Sequence, residues 1–310
     1  MRVITSHSTT SKPPSSRPSR KNSRQENLIP GETRYSADNK NPPGIEEFRQ
    51  MVLAFYRDHK RPMAWRETTD PYRILVSEIM LQQTQVERVS LKYPEFITRF
   101  PDFPALSHAS LADILPVWQG LGYNRRAIAL QKCAVRVMED FAGCLPCDVD
   151  TLATFPGIGR ATASSVVAFA FNLPVVFIET NIRRVFIHFF FRDGDKVSDE
   201  EILPLVERSL DRENPREWYW ALMDLGTSLK KSVPNPNRRS VHYTKQSAFE
   251  GSDRKIRGEI LRLLVAQNRM TAVQIIHACE KDTERVTKIL GALESEGFIR
   301  KNGKYFEIVS

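Results

Sequence analysis

One glutamate in the middle of an apolar helical pattern could act as an acid. Glu78 is flanked by Ile74, Leu75, Ile79 and Met80. Burial among such neighbours would raise the pKa of its carboxyl group, so that it could carry a proton near neutral pH and act as a general acid. Most glutamates are solvated, however, and the local pattern alone favours a surface position on an amphipathic helix.

A second acid lies near a predicted helix start. Glu179 follows the apolar run at 175–178 and precedes a helix that we expect from about residue 182 to residue 191. Thr180 is the expected N-cap of that helix, which places Glu179 just outside it. The Glu179 carboxylate either points toward the preceding hairpin or is a favourable charge beside a helix N-terminus.

A glycine-containing turn lies between these two acids. Residues 155–162 read FPGIGRAT and join a helical pattern that ends near Leu152 to the apolar run 163–171. Gly157 and Gly159 behind Pro156 allow a tight turn that leaves N–H groups unpaired at the next helix start. Such a turn can bind an anion, and a DNA phosphate would fit. A plain helix–turn–helix corner is the alternative.

Helices must position all of these groups. Apolar residues recur at helical spacing through the central part of the chain. Pro71 lies where a helix tolerates proline in its first turn, directly before the Glu78 segment. The further helices that we expect cover residues 46–59, 86–100, 111–118, 125–141 and 149–154. The sequence therefore predicts a mainly α fold.

A glycine-rich corner separates two of the predicted helices. Residues 118–123 read WQGLGY and are followed closely by Arg125 and Arg126. Aromatic side chains can stack on bases while neighbouring cations contact phosphates. Trp118 could instead pack in the core, and for Tyr123 the two interpretations are balanced.

Charge and length limit the class of protein. The 310 residues contain 45 Lys and Arg against 37 Asp and Glu, a net charge of +8. This balance favours an acidic partner such as nucleic acid, and the length allows two compact domains with a tail. No apolar run is long enough to span a bilayer and no early segment resembles a secretory signal. We therefore expect an intracellular, cytoplasmic protein without a membrane partner.

The four cysteines do not form a recognisable framework. Cys133, Cys144, Cys147 and Cys279 are too few for a disulfide scaffold in a chain of this length. Cys144 and Cys147 form a CxxC pair, but no second pair and no nearby histidine would complete a metal site. A purely structural role is the favoured interpretation.

The two ends of the chain differ in character. Residues 1–43 are rich in Ser, Pro, Arg and Lys, which predicts a disordered basic tail that adds phosphate contacts.

Residues 253–310 show three helical patterns and then a hairpin with an Asn302–Gly303 turn. This order is typical of a winged helix, whose third helix often enters the major groove. That helix carries mixed charge here, so a protein-contact or structural role is nearly as well supported.

Several short motifs, taken in order, resemble one family. They are WR at 65–66, SEIMLQQTQV at 77–86, GLGY at 120–123, FPGIGR at 155–160 and ETNIRRV at 179–185. This order is similar to that of the helix-hairpin-helix (HhH-GPD) DNA glycosylase superfamily, and within it to the MutY type of adenine DNA glycosylase. The resemblance covers about residues 44–230. It implies a two-lobed helical glycosylase domain there, followed by the winged helix at 253–310.

The resemblance also implies roles for single residues. Cleavage of an N-glycosidic bond builds positive charge on the sugar and negative charge on the departing base, so that an acid and a carboxylate both contribute. Glu78 matches the general acid that protonates adenine, and Glu179 lies at the position of the family's catalytic carboxylate. Trp65, Arg66 and Asn181 match the pocket for the flipped base.

Other matching positions are expected to contact DNA. Gln82 matches a residue that wedges into the duplex, and Tyr123 matches one that intercalates beside the opposite base. The amides around Gly157 and Gly159 are expected to hold the DNA backbone, together with a monovalent cation (Na⁺ or K⁺) at residues 155–160. The expected DNA contacts are Gln82, Gln83, Thr84, Tyr123, Arg125, Arg126, Gly157, Gly159, Arg160, Thr162, Arg238, Arg239 and Lys245.

Three positions depart from the family pattern. The family's catalytic aspartate is Glu179 here, and the longer side chain could carry the charge about 1.5 Å too far, a misplacement that can cost roughly 10²-fold in rate. The lysine nucleophile of endonuclease III relatives is replaced by Ala161, which predicts a monofunctional enzyme. Residues 227–252 contain no cysteine, so no [4Fe–4S] cluster is expected, and a basic loop at 231–252 takes the place of the cluster segment.

These patterns together predict a monomeric, monofunctional DNA glycosylase of base excision repair. We expect it to hydrolyse the bond to a mispaired base in duplex DNA, with adenine opposite guanine or 8-oxoguanine as the favoured substrate. Thymine or uracil opposite guanine is the second substrate hypothesis, and a non-catalytic DNA-binding module is the alternative from another class. The C-terminal unit does not resemble the NUDIX-like domain with which the MutY type reads 8-oxoguanine.

Overall fold

Helices dominate the computed structural model, which describes residues 42–191, 194, 196–244 and 249–310. Most of the predicted tail and Lys245 lie outside these ranges. No helix within them is long and apolar enough to cross a membrane. The helices are α1 Ile45–His59, α2 Pro71–Leu81, α3 Val86–Arg99, α4 Phe103–Ser107, α5 Leu111–Trp118, α6 Arg125–Asp140, α7 Val149–Ala153, α8 Arg160–Phe171, α9 Thr180–Phe190, α10 Asp199–Ser209, α11 Pro215–Ser232, α12 Asp253–Gln267, α13 Ala272–Cys279 and α14 Thr283–Ser295.

Local sequence signals explain where helix α2 begins. The Asp70 carboxylate accepts hydrogen bonds from the backbone N–H groups of Tyr72 (2.9 Å) and Arg73 (3.4 Å). Pro71 occupies the first helical position, where its missing N–H is not needed. The start of the helix that carries Glu78 is therefore fixed by its own first residues.

Two apolar cores divide the helical part into two lobes. The first core is built mainly from α2 to α7 and the second mainly from α1 and α9 to α11. Helix α8 contributes to both, because Ala163 and Val166 pack in the first core while Ala168 and Phe169 pack in the second. The mainly α, two-lobed fold predicted from the sequence is confirmed, and the junction between the lobes runs along α8.

The C-terminal residues form a small helical unit with a sheet. Its antiparallel strands are β1 Arg269–Thr271, β2 Ile299–Asn302 and β3 Tyr305–Ile308, in the order β1-β3-β2. The hairpin with the Asn302–Gly303 turn was predicted, whereas strand β1 was not, because three residues carry too little alternation to signal a strand. Helix α12 packs on α5 of the glycosylase part. The arrangement is winged-helix-like.

Candidate active site

Glu78 projects from α2 toward α8. Its Oε2 atom lies 2.5 Å from the hydroxyl oxygen of Ser165, and that hydroxyl oxygen lies 2.9 Å from the carbonyl oxygen of Thr162. A hydroxyl has one proton. Ser165 therefore donates to Glu78 when that carboxylate is ionised, and can accept from Glu78 while donating to Thr162 when the carboxyl is protonated. Both protonation states of Glu78 are satisfied.

The environment of Glu78 favours its protonated form. Burial raises the pKa of Glu78 to about 7, the hydrogen bond from Ser165 acts in the opposite direction, and the negative charge of Glu179 raises the pKa further. Arg66 lowers it. A carboxyl group with a pKa of about 7 holds a proton at neutral pH in a large fraction of the molecules, as a general acid must.

Glu179 is the N-cap of α9. Its Oε1 atom accepts hydrogen bonds from the backbone N–H groups of Asn181 (2.7 Å) and Ile182 (2.9 Å), and Oε2 accepts from the Asn181 side-chain amide (3.3 Å). The prediction that Thr180 caps this helix is wrong, because the longer glutamate side chain folds back onto its own helix N-terminus. The extra methylene of Glu179 therefore lets the carboxylate bend back to its own helix, and it does not carry the charge farther from the backbone.

The two acids differ in how well they carry a negative charge. Burial raises the pKa of Glu179 above its ordinary value, although the two backbone N–H groups and the arginines Arg184 and Arg183 oppose this shift. Backbone amides and a helix N-terminus stabilise a carboxylate. Among the described residues, the hydrogen-bond partner of the Glu78 carboxyl group is the Ser165 hydroxyl rather than a backbone amide. Both buried carboxyl groups thus have a raised pKa, and Glu179 differs in accepting hydrogen bonds from two backbone N–H groups.

A close contact between α11 and α9 holds the helix N-terminus that Glu179 caps. The Asn181 side-chain oxygen accepts from Arg184 Nη1 (2.6 Å), which also donates to the carbonyl oxygen of Gly226 (2.7 Å). A Cβ atom at Gly226 would lie 2.5 Å from the backbone oxygen of Asn181. Only glycine allows this approach, although glycine is unfavourable inside a helix.

The loop that takes the place of the cluster segment contacts the same helix end. The Asn237 amide donates to the carbonyl oxygen of Thr180 (2.8 Å), and Asn235 Oδ1 accepts from Arg184 Nε (3.3 Å). Asn235 is the N-cap of a short 3₁₀ turn, Pro236–Arg239, and Asn237 lies within that turn. The loop therefore secures the N-terminus of α9, on which Glu179 is placed.

The hairpin between α7 and α8 is joined to the end of α2. Gly157 has a φ of +72°, and a Cβ there would lie 2.7 Å from the Ala129 side chain, so this position needs glycine. Gly159 caps α8, and a Cβ built there meets no atom within 4 Å. The Gln82 amide donates to the Gly157 carbonyl oxygen (3.1 Å) and to Thr162 Oγ1 (3.2 Å).

The hairpin carbonyl groups already accept hydrogen bonds. Those of Phe155, Pro156 and Gly157 accept from Ile158 N–H, the Cys133 thiol and the Gln82 amide, respectively. Each carbonyl oxygen has a second lone pair, so a monovalent cation at residues 155–160 stays a prediction.

Arg126 requires a correction. It was expected to contact DNA, but it is buried and its guanidinium donates to six backbone carbonyl groups and one hydroxyl. These acceptors belong to the end of α2 and to the glycine-rich corner: Ile79, Met80, Gln82, Leu121, Gly122, Tyr123 and Thr84 Oγ1. A guanidinium that satisfies helix-terminal carbonyls has no donors left for a phosphate. Arg126 and the Thr84 hydroxyl instead hold the corner in place.

The predicted base pocket residues are largely buried in the fold. Trp65 packs edge-on against Tyr93, with ring centres 5.5 Å apart. Arg66 forms a bidentate ion pair with Asp224 of α11 (2.8 and 2.9 Å), and its side chain is only 3% exposed. Arg66 influences Glu78 through its charge, but its guanidinium is engaged by Asp224. Of the predicted pocket residues, Asn181 lies beside Glu179.

The other expected DNA contacts lie at or near the surface. Gln83 and Arg160 are exposed, and Arg160 pairs with Asp150. Arg125 pairs with Glu296 of the C-terminal unit (2.7 Å). Arg238 is exposed and Arg239 is partly buried.

The cysteines do not suit an iron–sulfur cluster. Cys133 and Cys279 are buried, in α6 and α13, while Cys144 and Cys147 are exposed and unbridged. Within the described ranges, no three His, Cys, Asp or Glu side chains are grouped so as to hold a metal ion. The residues present therefore do not fit a four-cysteine cluster.

Several residues at this site were missed by sequence reasoning. Ser165 and Asp224 were detectable as polar residues within apolar helical runs, and Gly226 as a glycine inside a helix. Asn235 and Asn237 carried no such signal, because their partners lie more than fifty residues away in the chain.

Two helical lobes, a glycine hairpin and paired acids at the lobe junction define a helix-hairpin-helix glycosylase architecture. A model of the "HhH-GPD superfamily base excision DNA repair protein" family matches residues 76–208. The adenine DNA glycosylase of Mycobacterium tuberculosis is 31% identical over 280 residues, which covers 81% of this chain and 89% of the relative. The chain belongs to the HhH-GPD superfamily of base excision DNA repair proteins, and within it to the MutY-type DNA glycosylases.

Solved structures agree with this fold. A thermostable thymine-DNA glycosylase superposes with a TM-score of 0.53 at 25% identity, covering 59% of this chain and 85% of that chain. A non-covalent endonuclease III–DNA complex gives a TM-score of 0.50 at 20% identity, over 58% of this chain and 85% of that chain. At that identity the second likeness concerns the fold alone.

Proposed function

We propose that this protein is a monofunctional DNA glycosylase that flips adenine out of a mispair with guanine or 8-oxoguanine and hydrolyses its N-glycosidic bond. The observation that carries this proposal is the pair of buried acids Glu78, whose pKa is raised to about 7, and Glu179, which accepts two backbone N–H hydrogen bonds. The adenine DNA glycosylase relative supports adenine as the base.

Glu78 supplies the proton to the departing base. The Oε2 atom of its carboxyl is tied to Ser165, which leaves Oε1 to face the base. Protonation of adenine neutralises the negative charge that develops on the leaving group. Glu78, once ionised, then orients the water that attacks the sugar carbon and accepts the proton that this water releases.

Glu179 stabilises the positive charge on the sugar. We infer that it acts as a carboxylate, because two backbone hydrogen bonds at the N-terminus of α9 and the charges of Arg184 and Arg183 favour the ionised form against the effect of burial. A fixed negative charge beside an oxocarbenium-like centre lowers the barrier without any reorganisation during the step.

The hairpin and the end of α2 are proposed to hold the DNA. The Gly159 surface is open to a close backbone approach, and it lies at the N-terminus of α8. Gln82 links this hairpin to α2, so that phosphate binding and insertion of a wedge into the duplex occur on one rigid element. We propose that the protein acts as a monomer on duplex DNA and without an iron–sulfur cluster.

The proposal is tested by single-turnover excision. Duplexes holding adenine opposite guanine or 8-oxoguanine, and thymine or uracil opposite guanine, are incubated with excess protein, and abasic sites are cleaved with alkali. We expect adenine release, and we expect Glu78→Gln to abolish it while duplex binding is kept. Absence of product from every duplex would favour a non-catalytic DNA-binding module. Release of thymine alone would favour the substrate named for the thymine-DNA glycosylase neighbour.

The absence of a lysine nucleophile predicts the form of the product. Ala161 lies exposed in the first turn of α8, and an alanine cannot form a Schiff base. We expect no borohydride-trapped complex with cleaved DNA, and Ala161→Lys provides the matched variant that could gain one. A trapped complex formed in good yield by the natural sequence would contradict monofunctional hydrolysis.

A further inference from the structure

The C-terminal unit touches the loop that is expected to enter DNA. The Tyr123 hydroxyl accepts a hydrogen bond of 2.7 Å from Arg254 Nη1. The guanidinium carbon of Arg254 also lies 5.7 Å from the centre of the Tyr123 ring. Arg254 lies in the first turn of α12. A residue of the winged-helix-like unit is therefore in direct contact with the residue that the proposed function places beside the opposite base.

The backbone conformation of Tyr123 depends on contacts made by its neighbours. Its φ is +48°, a conformation in which a bulky side chain is rarely found and which surrounding contacts must maintain. The buried Arg126 guanidinium contributes one such contact, 5.6 Å from the ring centre. Arg254 contributes another, and it adds a hydrogen bond to the hydroxyl at the end of the ring.

A second contact fixes α12 against the same loop. Glu296, at the end of α14, accepts bidentate hydrogen bonds from Arg125, the first residue of α6 after the corner, and from Arg257 of α12. Helix α12 also packs on α5, which leads into the corner. Helix α12, held by these contacts, therefore positions Arg254 next to Tyr123.

We propose that Arg254 is a positioning residue through which the winged-helix-like unit sets selectivity for a mispair over a Watson–Crick pair. This inference rests on the proposed function, in which Tyr123 enters the duplex beside the opposite base. A ring held in one direction enters only where stacking is already weakened, as it is at a mispair. The positive charge of Arg254 also suits a position beside DNA phosphates.

The experiment compares binding to two duplexes. Dissociation constants for a duplex with one adenine–guanine mispair and for its fully paired counterpart are measured by fluorescence anisotropy in the Glu78→Gln background. The selectivity ratio is the dissociation constant of the paired duplex divided by that of the mispaired duplex. We expect Arg254→Ala to lower this ratio by about tenfold, since it removes a hydrogen bond from a charged donor. Arg254→Lys restores part of the ratio, because an ammonium group can donate to the same hydroxyl.

Two further variants separate positioning from loss of charge. Arg262→Ala removes an exposed arginine of the same helix and is expected to leave the ratio unchanged. Tyr123→Phe keeps the ring but removes the acceptor, so it is expected to lower the ratio as Arg254→Ala does, with no further loss in the double variant. The inference would be overturned by a wild-type ratio near one, or by an unchanged ratio or tighter mispair binding in Arg254→Ala. Losses of the ratio that add in the double variant of Arg254→Ala and Tyr123→Phe would also overturn it.

Excision by the wild-type protein distinguishes this inference from the proposed function. If the wild-type protein excises no base but Arg254→Ala still collapses the binding ratio, the proposed function fails and the role of Arg254 stands. If adenine is excised while the ratio is insensitive to Arg254, the proposed function stands and the role of Arg254 fails.

Discussion

At the residue scale, the hydroxyl of Ser165 sets both the direction and the acidity of Glu78. The proposed mechanism requires protonated Glu78, whose pKa is raised to about 7 by burial, so the rate is expected to fall as the pH rises through about 7. Ser165→Ala removes a hydrogen bond that lowers this pKa. We therefore expect the fall to move to higher pH, and the low-pH rate to drop about tenfold because the carboxyl loses its fixed direction.

The neighbouring serine gives a control for this pH profile. Ser164 is also buried in α8, so Ser164→Ala changes helix volume and polarity in the same way. Single-turnover rates from pH 5.5 to about pH 9 are compared for the three proteins. An unshifted profile in Ser165→Ala would show that Ser165 does not act through Glu78.

Glu179 allows the charge to be separated from the helix cap. In Glu179→Gln an amide oxygen can still accept from Asn181 and Ile182, so the fold is kept while the charge is lost. We expect excision to fall by about 10²-fold or more. In Glu179→Asp the shorter acid is itself a preferred N-cap, and we expect a rate within roughly tenfold of the wild type. A large gain in Glu179→Asp would show instead that the glutamate suppresses the family's chemistry.

At the element scale, the contact between α11 and α9 depends on one glycine. A Cβ at Gly226 would lie within 2.5–2.9 Å of three atoms of Asn181, two of them backbone. Gly226→Ala is therefore expected to destabilise the protein by about 1–3 kcal/mol and to lower the excision rate by displacing the start of α9. Urea unfolding and single-turnover excision measure the two effects.

Another helical glycine provides the matched control. Gly258 lies inside α12, and a Cβ built there meets no atom within 4 Å. Gly258→Ala is expected to stabilise the protein by about 0.5–1 kcal/mol, because alanine has the higher helix propensity. Equal effects of the two substitutions would contradict the proposed role of the α11–α9 contact.

Elements were more predictable from the sequence than the contacts between them. Helix α5 has the predicted bounds, because its apolar spacing, Ser110 cap and following glycines are all local signals. The N-cap of α9 was misplaced, because a glutamate that folds back is outside the usual preference for short capping side chains. The roles of Arg126, Asn237 and Gly226 depend on partners distant in the chain, which no local pattern reveals.

At the scale of the whole molecule, one carboxylate joins the glycosylase part to the C-terminal unit. Hydrogen bonds from Arg125, together with those from Arg257, lower the pKa of Glu296 to about 2 from an ordinary value of 4.5. Because its pKa is lower in the folded protein, Glu296 contributes stability above about pH 4.5 and loses that contribution as the pH falls toward 2.

The lowered pKa of Glu296 predicts how its ion pairs with Arg125 and Arg257 respond to acid and to salt. Glu296→Gln is expected to lower the free energy of unfolding by about 1 kcal/mol at pH 7, since the partly exposed pair is screened by solvent. The difference from the wild type should shrink between pH 4.5 and pH 3 and also at high ionic strength, because both remove the same attraction. Urea unfolding across this pH range is compared with Glu294→Gln, an exposed neighbour on α14. Because the ion pairs of Glu296 also help to position Arg254 next to Tyr123, Glu296→Gln should reduce mispair selectivity as well. A difference in stability that does not depend on pH would show that Glu296 acts only through packing.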